Sequence, residues 1–340
     1  APFQGSSRAT FEMGQQATDD VKLKVDLVLD ISSGDALVTA PEKRDGYFNP
    51  DVGNPALVQK VLFEITDLVG EFEKPRYIRY DSEICVHARS TQVGCTRCLD
   101  VCPTGAITSG NDEVIIDPYV CAGCGSCASV CPTGAAKYEL PARNFIYERV
   151  KILLDTYFDA GGNNAVLLIH DTRHGEDMIS VLARQGRGLP ANVLPFAVNE
   201  VTQIGFDFMS VALGYGAAKI LILTGPGNIG ETDGLSGQIG LIEAIASGLG
   251  YGEGRVSIID HFDPDNLGEA LYEKFDLPPI FQGDFIAMGG KREVVNLAVN
   301  HLHEHAPAPS DVVDLPSGAP FGTIEVNIDG CTLCLSCVSA

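Results

Sequence analysis

The chain has 340 residues, a formal net charge of −22 and 45% hydrophobic residues. That length suggests two or three domains, with ample apolar material for their cores. The acidity argues against nucleic acid or an anionic lipid surface as partner, and no apolar run reaches the ~18 residues that a membrane span requires.

Residues 1–20 are polar and unpatterned. Residues 25–30, Val-Asp-Leu-Val-Leu-Asp, predict a buried strand. Asn54-Pro55 marks a helix start, with Asn54 as cap and Pro55 in the first turn. Leu57, Val58, Val61, Leu62, Ile65, Leu68 and Val69 then fall on one apolar face, and Gly70 closes the helix. Residues 74–80 are extended and locally basic, either a strand packed on the neighbouring cysteine-rich stretch or a docking surface.

The informative stretch runs from 85 to 131 and holds eight of the eleven cysteines. Its second half reads Cys121-x-x-Cys124-x-x-Cys127-x-x-x-Cys131-Pro132. This is the spacing that wraps a [4Fe–4S] cluster with three thiolates and sends the fourth to a neighbouring cluster. The first half ends alike, Cys95-x-x-Cys98-x-x-x-Cys102-Pro103, but its opening cysteine lies at Cys85, ahead of a nine-residue insert, VHARSTQVG. Crossed ligation assigns Cys85, Cys95, Cys98 and Cys131 to one cluster, and Cys102, Cys121, Cys124 and Cys127 to the other. Pro103 and Pro132 stop the ligand helices. Gly105 and Gly134 permit a tight turn, and Gly123 and Gly125 permit close backbone approach. Between the two runs, residues 106–108 and 113–116 flank Ser109-Gly110-Asn111-Asp112, a hairpin signal.

With its repeated CPTGA, this stretch resembles the bacterial dicluster ferredoxin module over roughly 60 residues. Zinc ribbons and disulfides are the alternatives for paired cysteine runs. Should Cys85 be structural, the first cluster has three cysteines plus a non-cysteine ligand, or is a [3Fe–4S] form.

Residues 142–159 predict a helix with Phe145, Ile146, Val150, Leu153, Leu154 and Tyr157 as its stripe. Strands at 165–169, 193–197, 219–223 and 256–259 then alternate with helices at 176–185, 205–214, 236–248 and 266–275. Pro195 places the second strand at an edge or bulge. Four such units imply an open parallel sheet with helices on both faces, Rossmann-like or flavodoxin-like. Through LPANVLPFAVNEV and GAAKILIL this half is similar to the methyl-viologen-reducing hydrogenase delta-subunit family, without cysteines of its own in 150–300. The whole pattern resembles multi-cluster iron–sulfur proteins of formate dehydrogenase systems.

Outside the cysteines, Gly225-Pro-Gly227-Asn-Ile-Gly230 matches GxGxxG, with Asp260 after the next strand, but Glu231 and Asp233 delay the helix and would repel a diphosphate. A surface loop is the favoured reading. His170, Asp171 and His174 read as turn and cap polars rather than a metal or proton relay. Asn199, Glu200 and Thr202 either line a crevice or cap the next helix. His301, His303 and His305 suit a solvated helix end. Pro307, Pro309, Pro316 and Pro320 mark a semi-extended linker. An alternating stretch, 323–328, then leads into Cys331-x-x-Cys334-x-x-Cys337, the opening of a further ferredoxin run.

The expected organisation is α/β plus α+β. It comprises an N-terminal α/β segment (1–80), a dicluster 4Fe-4S ferredoxin domain (81–140), an α/β parallel-sheet domain (141–305), and a Pro-rich linker with a truncated second ferredoxin module (306–340). Both ends look cut from a longer protein, so more clusters are expected beyond them and the third site (Cys331, Cys334, Cys337) is incomplete. The expected function is electron transfer through two [4Fe–4S] clusters between redox partners, a dehydrogenase among them. No catalytic side chains are expected, and the location is a reducing, cytoplasmic one. The alternatives are a docking, assembly or sensory subunit of a redox complex, and a flavin- or nucleotide-binding oxidoreductase subunit.

Overall fold

The computed structural model describes residues 10–11, 23–25, 27–34, 46–70, 73–89, 92–228, 232–322 and 325–334. Near the start, β1 (Thr10–Phe11) pairs antiparallel with β2 (Leu23–Lys24), and β3 (Val28–Leu29) pairs parallel with β4 (Tyr47–Phe48). The strand expected at 25–30 is therefore only two residues long. It is anchored at its end by buried Asp30, which accepts a 2.7 Å hydrogen bond from the Tyr47 hydroxyl. Helix α1 (Pro55–Asp67) begins as the sequence implies, with the Asn54 side chain accepting from the amides of Ala56 and Leu57. Of its apolar face Val58, Val61 and Ile65 are half-buried and none is fully buried; the end is a correction, since α1 stops at Asp67 and leaves Leu68 and Val69 beyond it.

The cysteine cassette is built from strands of two or three residues and two helices of about one turn. These are β5 (Ile78–Tyr80), β6 (Ala88–Arg89), β7 (Gln92–Val93), α2 (Arg97–Asp100), β8 (Ile107–Ser109), β9 (Val114–Ile116), α3 (Ser126–Val130) and β10 (Ala136–Tyr138). The 106–116 hairpin forms as expected, Ile107 opposite Ile116. Strand β5, drawn from the basic stretch, pairs antiparallel with β10, Ile78 opposite Tyr138. Ile78, Ile107, Val114, Ala136 and Tyr138 make a small core against which Cys98, Cys102, Cys121 and Cys131 pack.

After α4 (Arg143–Asp159) the chain alternates β11 (Val166–Asp171), α5 (His174–Gln185), β12 (Val193–Val198), α6 (Phe206–Gly214), β13 (Lys219–Leu223), α7 (Asp233–Gly248), β14 (Val256–Ile259) and α8 (Pro264–Tyr272), then ends with α9 (Lys291–Glu304). The sheet is parallel throughout, in the order β12-β11-β13-β14. Strand β12 lies at an edge, as Pro195 requires. Side chains alternate along β11: Val166 and Leu168 join Met178, Leu182, Leu267 and Leu271 under α5 and α8. Leu167 and Ile169 join the larger core beneath α4, α6, α7 and α9. Helices thus cover both faces, because crossovers that run in opposite directions from β11 must lie on opposite sides when all are right-handed. Phe145 is a further correction. It is 53% exposed rather than part of the α4 stripe, and Tyr147 is buried in its place.

Arg255 is fully buried ahead of β14 and donates to the carbonyls of Tyr251, Ala218 and Pro278. Burial pulls its guanidinium down to about 10. The Pro-rich segment is not a free linker. Ala306, Val313, Leu315 and Ala319 pack on the larger core, Phe321 meets Phe206 edge-on, and Arg97 of the cassette donates to the Gly318 carbonyl. The apolar residues between the prolines drive this packing. The expected strand at 323–328 is not seen either: 325–327 are irregular and Ile328–Gly330 forms a 3-10 turn. Residues 323 and 324 lie outside the described residues.

Candidate metal centre

Each ligand loop is shaped locally before any metal is considered. The Asp117 side chain accepts from the amides of Tyr119 and Val120, and its carbonyl receives the amide of Cys121. Together with Pro118 this turns the chain into the second run. The repeated Cys-Pro-Thr sets a threonine hydroxyl beside each cysteine sulfur: Thr104 at 3.8 Å from Cys102 and Thr133 at 3.7 Å from Cys131. In the insert, β6 and β7 form a small hairpin rather than a plain loop. It is tied down by buried His87, whose Nδ1 donates to the Cys95 carbonyl at 2.7 Å while Nε2 meets the Ser109 hydroxyl at 2.7 Å.

The electrostatic neighbours of the thiols divide them into two groups. Burial, then the sulfurs of Cys131, Cys95 and Cys85, push the Cys98 thiol up to about 12. Burial, then Cys124, Cys121, Cys102 and lastly Cys98, push Cys127 far above the ordinary thiol range. Burial likewise raises Cys121, with Cys124 and Cys102 as its thiol neighbours. Cys131 differs. Burial acts to raise it, but the Ala136 amide, the Lys291 ammonium and Thr133 outweigh that effect and hold it below the ordinary range. Tyr80 hydrogen-bonds the Cys85 side chain and receives the Val114 amide at 3.3 Å.

Two sets of thiols, half-buried except for the buried Cys85 and Cys127, each reached by a cysteine from the other run, suit iron–sulfur clusters in donor chemistry and number. Every cysteine among the described residues is a thiol, none in a disulfide. Also among them, no three His, Cys, Asp or Glu side chains converge for one metal ion. A cluster ties each thiolate to a different iron and asks for a wider set. In the third run Cys331 and Cys334 are exposed, whereas Cys337 lies outside the described residues.

The α/β domain meets the cassette through residues partly flagged by the sequence. The Thr202 hydroxyl donates to the Cys124 carbonyl at 2.7 Å, and Asn199 donates to the Tyr138 hydroxyl at 2.7 Å, which in turn donates to the Gly123 carbonyl at 2.6 Å. Glu200 pairs instead with Arg173. Gly125 sits at φ +80°, and a Cβ there would lie 2.5 Å from Gln203 Cβ. Lys291, Asp207 and Tyr147 carried no sequence signal. Lys291 Nζ reaches the carbonyls of Ala128 (2.8 Å) and Ser129 (2.6 Å) and pairs with Asp207 at 3.3 Å, and Tyr147 donates to Asp207.

The remaining candidates make local contacts, and the buried His174 Nε2 has no hydrogen-bond partner among the described residues. Asp171 accepts from the amides of Arg173 and Gly175 at the start of α5, and His170 Nδ1 donates to the Asp171 carbonyl. His174 packs edge-on against Phe262. In the glycine loop the Gly225 amide is taken by Asn228, and α7 starts only at Asp233, three residues after Gly230; Gly230 and Glu231 are outside the described residues. Asp260 is exposed beyond β14. His305 stacks on Phe281, His301 Nε2 donates to the Phe281 carbonyl, and His303 lies 4.0 Å from Asp311.

The family described as 4Fe-4S dicluster domain matches residues 91–135. The cassette is thus a domain of this type, with iron–sulfur cluster binding as its chemistry. The match begins beyond Cys85 and takes in the other seven cassette cysteines. No curated protein and no solved structure matches the chain. No helix among the described residues is long and apolar enough to cross a membrane.

Proposed function

We propose that this chain is an electron-transfer protein that holds two [4Fe–4S] clusters, one on Cys85, Cys95, Cys98 and Cys131 and the other on Cys102, Cys121, Cys124 and Cys127. The match of residues 91–135 to the 4Fe-4S dicluster domain carries this reading, and the thiol neighbours of Cys98 and of Cys127 support the division between two clusters. When bound, such clusters each accept and release single electrons. The chain's own residues bury the sulfurs, supply hydroxyls from Thr104, Thr133 and Tyr80 to them, and fix the loops through His87 and Asp117. No side chain is needed as acid or base. The partners on this reading are redox proteins, a dehydrogenase of a formate-oxidising system among them, and the dependence of reduced thiols on a reducing compartment supports the cytoplasm. Anaerobically reconstituted chain should carry about eight irons and eight sulfides per polypeptide and bleach with dithionite. Four or fewer irons would refute the two-cluster reading.

A docking or assembly role has its own support. The α/β domain spends the carboxyl end of β12 on the cassette, through Asn199 and Thr202, rather than on an open crevice. Redox silence together with tight capture of a partner enzyme would favour it.

A further inference from the structure

Lys291 is the first residue of α9, where a helix disfavours a cation. It is also 7% exposed, in a region where unpaired charge is expensive. Nothing local explains it. Its three ammonium protons are matched by Ala128 O, Ser129 O and Asp207 Oδ1, so the charge is aimed at the last turn before Cys131. Gly134, at φ +73°, lets the lysine in: a Cβ there would stand 3.0 Å from Lys291 Cβ. Two more cations attend this turn. Arg292 donates to the Pro132 carbonyl, and Arg143 Nη1 lies 3.4 Å from the built Gly134 Cβ.

Among the described residues no lysine or arginine donates to the carbonyls of Leu99, Asp100 or Pro103 in the matching turn of the first run, and Arg97 of that turn donates instead to the Gly318 carbonyl. Position 100, the counterpart of Ser129, is an exposed aspartate that accepts from Thr96. A Cβ on Gly105, the counterpart of Gly134, would meet nothing within 4 Å. Lys74, half-buried and bonded to the Tyr119 carbonyl, is a cation on the Cys121 side, and it acts on Cys121 last among several influences.

We infer that Lys291 is a redox-tuning residue, which raises the reduction potential of the cluster held by Cys131 above that of the cluster held by Cys102. The inference rests on the two-cluster reading. With both clusters bound, the Cys102 side would be the donor of the pair and the Cys131 side the acceptor, one oxidised and the other reduced by one electron with neither a bond nor a proton changing place. A buried cation acts on an added negative charge with little screening, whereas Lys74 is partly screened by solvent.

The test is an EPR-monitored redox titration of the full, anaerobically reconstituted chain. Lys291→Met should lower the reduction equilibrium of one cluster about tenfold, 59 mV for a one-electron couple, and leave the other in place. The affected signal should be the one altered by Cys131→Ser. Asp207→Asn keeps the lysine and removes its counter-charge, so it should shift the same cluster upward; Lys291→Arg should restore it. A purely structural lysine predicts no such opposed shifts. Unchanged potentials in both charge variants with full iron content would overturn the inference alone. Should Lys291→Met lose iron, the sign of the Asp207→Asn shift decides. Wild-type chain without cubane signals would overturn both this inference and the two-cluster reading.

Discussion

Gly125→Ala places a methyl group where the cassette and the α/β domain touch. Gly125 has φ +80°, where an L-residue is disfavoured by about 1–2 kcal/mol. Its new Cβ would lie 2.5 Å from Gln203 Cβ and 2.9 Å from Gln203 Cα. The second distance involves the main chain, so no rotamer change relieves it, and the two bodies must part. Parting them breaks the Thr202 bond to the Cys124 carbonyl and leaves a polar group at the seam unsatisfied, a loss of about 1–3 kcal/mol. The sum is about 2–5 kcal/mol. Gly105→Ala is the control: φ is +66° but a Cβ would meet nothing within 4 Å, so only the backbone term of about 1–2 kcal/mol applies. The chain lacks tryptophan, so an anaerobic urea titration would follow far-UV circular dichroism together with visible absorbance. Gly125→Ala should unfold earlier than Gly105→Ala and release iron first. Equal midpoints for the two variants would refute the view that this seam is packed against backbone.

Cys127→Ala should remove about half of the bound iron, while Cys331→Ala should leave the cassette's iron unchanged; elemental analysis decides. Tyr80→Phe removes the hydroxyl shared by Cys85 and the Val114 amide, and should reduce stability by about 1–3 kcal/mol in the same urea assay. Arg255→Met leaves the buried carbonyls of Tyr251 and Ala218 and the half-buried one of Pro278 without their donor and should destabilise by at least about 2 kcal/mol, measured by thermal unfolding. In iron-free, reduced chain, burial and neighbouring sulfurs raise Cys98 to about 12. The folded state therefore holds its proton more tightly than the unfolded chain, and stability should fall as pH climbs from the free-thiol value of about 8.5 towards 12. A denaturation midpoint that rose over that window would contradict the burial of this thiol.

What could be read from the sequence was what is encoded locally. Cysteine spacing, the proline after each run and the four strand–helix alternations all act within a few residues, and the cassette and the parallel sheet arise from them. The Asn54 cap and the edge position implied by Pro195 belong to the same class. Phe145 misled because a 3.6-residue stripe does not say where the neighbouring element stops. It faces solvent while Tyr147 turns inward to reach Asp207. The prolines at 307–320 suggested a tether, but Val313, Leu315 and Ala319 among them had a helical layer to pack on. Lys291 was invisible for a different reason. Its partner Ala128 is 163 positions away, and a lysine after two glycines carries no mark of burial.

The placement of the cassette also bears on what the α/β domain does. In an open parallel sheet the crevice for a ligand opens beyond the carboxyl ends, where neighbouring strands lead off to opposite sides. Here that reversal falls between β11 and β13, where the described residues largely contact their own chain: Asp171 caps α5, Asn228 takes the Gly225 amide, and His174 packs against Gly225 with its Nε2 buried and without a hydrogen-bond partner. The adjoining edge, after β12, is occupied by the Cys124 loop. A domain that uses these positions on its own chain holds a fixed frame around the thiols. The buried Lys291–Asp207–Tyr147 group continues that frame to the turn before Cys131. For the electron-transfer role proposed above, holding charges still around the sulfurs is the contribution a protein makes to the rate and direction of transfer, and the contacts of this sheet with the Cys124 loop and the turn before Cys131 would serve it.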